Sequence, residues 1–275
     1  MLKRTITAIV LVAVFIPICY FSGTVVFPIA MAVLSVIAAY EMLACVGLKK
    51  NAAVSVPAYI FAAGVPLIPW FCGESAVKLI FAASVVLLIF IFAANVFSRG
   101  KLDYTVSASA FTGIFYIGVT FASIVLLRLT GKYLYLLTFI GPWTSDVFAY
   151  LCGRLFGKHK LIPEVSPKKT VEGSVGGIIF AAAAFALYAF IIKRFFDPSL
   201  TPNYFILAAA GAVVSVISQI GDLAASVIKR RFDVKDYGRI FPGHGGVMDR
   251  FDSVLLTAPV LYIISQIPAF EGLLL

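Results

Sequence analysis

The segment VKDYGRIFPGHGGVMDRFDS, residues 234–253, gathers lysine, arginine, histidine, glycine and aspartate in a chain that is 61% hydrophobic and only 13% charged. Asp249 and Asp252 stand three residues apart, a spacing that puts both on one face of a helix. Asp146 lies inside a long apolar run and Asp222 at the end of another, where an uncompensated carboxylate is costly. Carboxylates gathered near a medium of low dielectric cannot all ionise unless a cation or several hydrogen-bond donors compensate them. An oxygen-only set, without clustered His or Cys, suits magnesium rather than zinc. Magnesium takes one or two protein carboxylates and keeps its other positions for water and phosphate oxygens, so the pattern points to a phosphorylated substrate. Each aspartate also has a plainer reading: Asp252 as an N-cap or an arginine partner, Asp146 and Asp222 as buried partners of Arg154 or Lys229. Glu41, alone in its apolar run, is expected to pair with Lys49 or Lys50.

Two glycine- and lysine-bearing segments flank these acids. FPGHGG, residues 241–246, leads into a helix expected near Val247. Its glycines let the backbone turn tightly and aim N–H groups at an anion, although a plain turn has the same composition. His244 is available there as a phosphate contact or an acid. LIPEVSPKKTVEGSVGG, residues 161–177, sets Lys168, Lys169 and Thr170 just ahead of an apolar run starting near Ser174. Anchoring at a membrane surface accounts for the lysines alone. Ser166, Pro167 and Glu172 fit a shaped phosphate-binding loop better.

Nine apolar runs must position these residues: 5–21, 24–46, 52–71, 76–97, 105–127, 133–151, 174–192, 204–220 and 253–267. Crossing a hydrocarbon core of about 30 Å takes about 20 apolar residues as a helix. The runs are continuously apolar rather than alternating, which excludes a transmembrane β-barrel. The expected fold is therefore all-α: a polytopic membrane protein of about nine transmembrane helices. Most basic residues fall on one side of the alternating loops, which places the N-terminus in the cytoplasm. At about 1.5 Å per residue, Asp146 is about 20 Å along its span and Asp222 about 27 Å along its own, so both approach the cytoplasmic boundary. Asp249 and Asp252 directly precede the last run. Residues 1–130 read as a transmembrane scaffold and 131–275 as a catalytic region with cytoplasmic loops 152–173 and 227–252. Pro57, Pro66 and Pro69 predict a kink or break in the third run.

The net charge of +9 follows the loops that would face anionic lipid, so it argues for topology and against nucleic acid. Cys19, Cys45, Cys72 and Cys152 form no C-x-x-C pair and support neither a zinc site nor a disulfide framework. The basic start and apolar run of residues 1–23 imitate a signal peptide but lack a small-x-small cleavage site, so an uncleaved first helix is expected. An ion-coupled transporter would account for Asp146 and Asp222 as a relay, but not for two glycine- and lysine-bearing segments converging with Asp249.

SVIKRRFDVKDYGRIFPGHGGVMDRFD, residues 226–252, resembles the signature of the phosphatidate cytidylyltransferases, or CDP-diglyceride synthases: S-x-x-K-R, four residues, K-D, then H-G-G-x-x-D-R-x-D. WTSDVFAYLCGRLFGKHKL and SPKKTVEG are similar to other stretches of that family. The D-G-x-x-A-R pattern of enzymes that join a CDP-lipid to an alcohol is absent, and the uninterrupted signature argues against a CTP-using polyprenol kinase. The resemblance implies that CMP passes from CTP to phosphatidic acid, giving CDP-diacylglycerol and pyrophosphate. It implies Asp222 and Asp249 as metal ligands with Asp252 beside them, for one or two magnesium ions, a monovalent cation being a further option. Lys229, Arg230, Lys235, His244 and Arg250 are its catalytic candidates. Asp146, Ser166, Lys168, Lys169, Thr170, Ser226, Gly245 and Gly246 are its substrate-binding candidates. It further implies a homodimer in a bacterial-type inner membrane, with the active site facing the cytoplasm.

Overall fold

The computed structural model describes residues 2–267 except Pro242 and His244, with side chains from Val10 onward apart from that of Leu11. In chain order the helices are α1 (Leu2–Tyr20), α2 (Val26–Cys45), α3 (Ala52–Gly64), α4 (Ile68–Cys72), α5 (Ala76–Phe97), α6 (Tyr104–Thr130) and α7 (Leu137–Phe156). Then come strands β1 (Lys160–Ile162) and β2 (Ser166–Thr170), followed by α8 (Val171–Phe195), α9 (Tyr204–Arg231), α10 (Met248–Phe251) and α11 (Thr257–Ser265). The protein is thus predominantly helical. One small departure from an all-helical chain is the antiparallel pairing of β1 with β2.

Among the described residues, five helical segments are long and apolar enough to cross a membrane: Val26–Cys45, Ala52–Phe97, Tyr104–Thr130, Val171–Phe195 and Tyr204–Arg231. Apolar stretches of that length make this a multi-pass membrane protein. The expected break in the third run is present. A 3-10 turn at Val65–Leu67 holds Pro66, Pro69 opens α4, and Gly73 reverses the chain at φ +50° before α5 packs back on α3. α11 is shorter than the run expected over residues 253–267, because residues 252–256 are turns.

Contacts divide the chain into two compact units, Met1–Leu129 with Arg231–Phe251, and Thr130–Arg230 with Asp252–Leu275. In the first, α6 is the most enclosed helix, with Ile114, Ile117, Phe121 and Ile124 buried. Asp103 starts it, its Oδ1 accepting the N–H groups of Thr105 at 2.6 Å and Val106 at 3.2 Å. In the second, α7 and α8 meet along a seam of small residues. A Cβ at Gly176 would fall 2.5 Å from the Cys152 Sγ, so only glycine lets the two backbones approach this closely. A polar ladder ties α7, α8 and α9: Ser145 to Ser215 at 2.7 Å, Gln219 to Ser215 at 3.3 Å, and Ser174 to Gln219 at 2.5 Å. Among apolar helices such bonds fix rotation and register, since the alternative is an unsatisfied polar group. None of the four cysteines is joined in a disulfide.

The expected loop over residues 152–173 is mostly regular structure, whereas in that over 227–252 regular structure is confined to the end of α9 and to α10. α7 runs on through Cys152 and Arg154 to Phe156, and α9 runs through Asp222, Ser226, Lys229 and Arg230 to Arg231. The apolar run ends near Ile220, but Leu223, Ala224, Ala225, Lys229, Arg230 and Arg231 are good helix formers and the backbone ladder continues through them.

Candidate active site

In the second unit, α9 carries Asp222 and β2 carries Lys169, and the lysine Nζ is ion-paired with the Asp222 Oδ2. Both side chains are about three-quarters enclosed. Asp252 lies in the turn before α11, outside the spanning helices. Its backbone oxygen sits where a Cβ on Gly221 would come within 2.8 Å, so the missing side chain at 221 lets Asp252 approach the turn of α9 that bears Asp222. Burial raises the Asp252 carboxyl to about 7. The Asp222 carboxylate adds to this, Lys229 and the Ser253 N–H oppose it, and the Asp146 carboxylate raises it further. Asp146, Asp222, Asp252, Lys229 and Lys169 therefore share one electrostatic neighbourhood. The plainer pairing expected for Asp222, with Arg154 or Lys229, gives way to Lys169.

Ser226 and Arg230 follow Asp222 at successive four-residue steps of α9 and lie on its face. Lys168 is exposed on β2, and Ser166 is half-buried at the start of that strand. Thr170 caps α8, its Oγ1 accepting the Gly173 N–H at 3.2 Å. Glu172, in the first turn of α8, binds the His159 side chain at 2.7 Å and its peptide N–H at 3.2 Å, which ties the start of the hairpin to the helix.

In the first unit, α10 presents Asp249, which is 8% exposed. Its Oδ2 accepts the N–H groups of Tyr237 at 2.9 Å and Gly246 at 3.0 Å. The Gly246 N–H, expected to face a phosphate, is thus bonded to Asp249. Gly245 adopts φ +81° and closes a turn in which the Phe241 N–H meets the Gly245 oxygen at 2.9 Å. Asp249 would crowd any Cβ there, at 2.6 Å from its Oδ2. Lys235 and Arg250 are exposed. His244 lies outside the described residues.

Glu41 departs from expectation. It is 2% exposed, and its carboxylate accepts the N–H groups of Val247 at 3.1 Å and Met248 at 2.9 Å rather than pairing with Lys49 or Lys50. Lys49 sits over the Tyr40 ring instead. The signal in the sequence was the carboxylate itself, isolated in an apolar run; its partners are peptide groups, which residue types do not reveal.

The donors fit a hard cation. Asp222 and Asp252 offer carboxylate oxygens in a neighbourhood crowded with negative charge, and among the described residues no three His, Cys, Asp or Glu side chains are arranged around a common ion. Magnesium needs only one or two such ligands, the rest coming from water and phosphate.

Residues 2–267 match the model of the cytidylyltransferase family. The chain belongs to that family. It is 34% identical over 263 residues to a phosphatidate cytidylyltransferase of Staphylococcus haemolyticus, with 95% of this chain and 97% of the relative covered. The namesakes from Staphylococcus aureus strain COL and Staphylococcus epidermidis strain ATCC 12228 are 36% and 35% identical, at the same coverages. A family match spanning nearly the whole chain makes this protein a nucleotidyltransferase, a membrane enzyme of phospholipid biosynthesis.

Proposed function

We propose that the protein transfers CMP from CTP to phosphatidic acid, releasing pyrophosphate and forming CDP-diacylglycerol, with magnesium as cofactor. The observation that carries this reading is the match over 95% of the chain to relatives of that name, together with carboxylates grouped as such a reaction requires. An oxygen of the phosphatidate phosphate attacks the α-phosphorus of CTP, and the bond from that phosphorus to the bridging oxygen of the β-phosphate breaks. The attacking oxygen is already anionic, so the protein needs no strong base; its work is positioning and charge neutralisation.

Asp222 and Asp252 would hold the ion, which would neutralise charge on the triphosphate; Asp249 is assigned to the site by the family signature. Lys229, Arg230, Lys235 and Arg250 supply cationic contacts to the substrate phosphates, and Lys168 and Lys169 do so from the hairpin. Asp222 presents its carboxylate beside the Lys169 ammonium, which holds it in place as a hard oxygen donor. The distribution of basic residues supports a cytoplasmic N-terminus and a site open to cytosolic CTP in a bacterial inner membrane. A homodimer is part of the same proposal.

The test is conversion of labelled CTP in detergent. Equimolar pyrophosphate and lipid-soluble nucleotide, dependent on phosphatidic acid and magnesium, support the reading. Intact CTP, with solute movement across sealed vesicles, would point to a transporter instead.

A further inference from the structure

The aspartates and basic residues of the proposed reaction leave Glu41 without a role, although it is the most enclosed acidic side chain described. It comes from α2, in the half of the chain that otherwise reads as scaffold. An isolated carboxylate within an apolar helix is retained against a large desolvation cost only if strong donors compensate it. Here the donors are two consecutive peptide groups, Val247 at 3.1 Å and Met248 at 2.9 Å, at the start of the turn that carries Asp249 and Arg250. The glycines around it have the matching shape. A Cβ at Gly238 or at Gly246 would collide with the Glu41 carboxylate. Neither residue adopts a positive φ, so neither glycine is required by backbone conformation. Both are small because the carboxylate passes between them. Asp249 secures the same segment from inside, through the N–H groups of Tyr237 and Gly246.

We propose that Glu41 is a positioning residue for the nucleotidyl transfer: its carboxylate clamps the Val247 and Met248 peptides and so sets the turn that presents Asp249 and Arg250, with Gly238 and Gly246 forming the slot for it. This rests on the reading of Asp249 and Arg250 as site residues. Glu41 touches no substrate; it acts through the backbone.

The test combines turnover with a readout independent of activity. In wild-type protein in detergent, the amides of Val247 and Met248 exchange slowly with deuterium; in Glu41→Ala they exchange faster, and kcat falls about 10- to 100-fold while the KM for CTP changes less than about threefold. Glu41→Gln, which keeps one acceptor oxygen, lies between the two. Gly238→Ala offers a second route that leaves the carboxylate in place: it lowers kcat in the wild-type background and adds little to Glu41→Ala, because the group its methyl strikes is gone. Full kcat in Glu41→Ala, unchanged amide exchange, or additive losses in the double variant would each overturn the proposal. A wild-type protein that makes no CDP-lipid would instead remove the proposed reaction, while the exchange measurement would still report on the clamp.

Discussion

The carboxylates of the two units are satisfied in opposite ways. In the first, Glu41 and Asp249 each accept two peptide N–H groups and are almost fully enclosed. In the second, Asp222 is held by the cationic Lys169, and burial, with the Asp222 and Asp146 carboxylates adding to it, raises the Asp252 carboxyl to about 7. Peptide donors are neutral and directional, so the first arrangement defines the shape of a turn. Like charges beside a lysine define a potential instead, and that potential favours a divalent cation. One region therefore builds geometry and the other stores negative charge.

The largest effect expected from that difference is in Asp222→Asn. Removing this charge should lower CDP-lipid formation about 10³-fold, the equivalent of the several kcal/mol that a metal ion contributes. Steady-state conversion of labelled CTP measures it, and a loss below about tenfold would erase the contrast between the units. Lys169→Ala comes next, with turnover reduced about 10- to 100-fold and partly restored in Lys169→Arg; the pair is not fully enclosed, so solvent screens part of the loss. Excess magnesium should recover some of the Lys169→Ala activity and none of the Glu41→Ala activity, since only the former lesion concerns charge.

A smaller effect is the pH dependence of magnesium use. The Asp252 carboxyl keeps its proton up to about 7, and the proposed cation would bind the ionised form. Apparent magnesium affinity should therefore weaken about tenfold per unit as pH falls below 7 and level off above it. Asp252→Asn should flatten the profile, and an unchanged slope would remove Asp252 from the cation's surroundings. Least affected is His159→Ala, where an exposed pair with Glu172 is lost and turnover should stay within about twofold.

Much of this was legible in the sequence because acids are rare in an apolar chain. Asp146, Asp222 and Asp252 stood out on composition, and the structure gives them a common electrostatic neighbourhood. The broken third run followed from its prolines. Helix ends were less legible: hydropathy marks where the apolar environment stops, while the backbone ladder of α9 continues to Arg231. The partner of Asp222 was missed because Lys169 reaches it from a hairpin remote in sequence. Glu41 was missed for a different reason, since its donors are peptides and any sequence supplies those.

The most direct test of the charge-storing region is a titration of Mn²⁺, as a spectroscopic stand-in for magnesium, into purified protein with CTP, followed by electron paramagnetic resonance. Saturable binding in the wild type, weakened about 10- to 100-fold in Asp222→Asn, is the predicted result. Equal affinity in the two proteins would contradict the assignment of the cation to these aspartates.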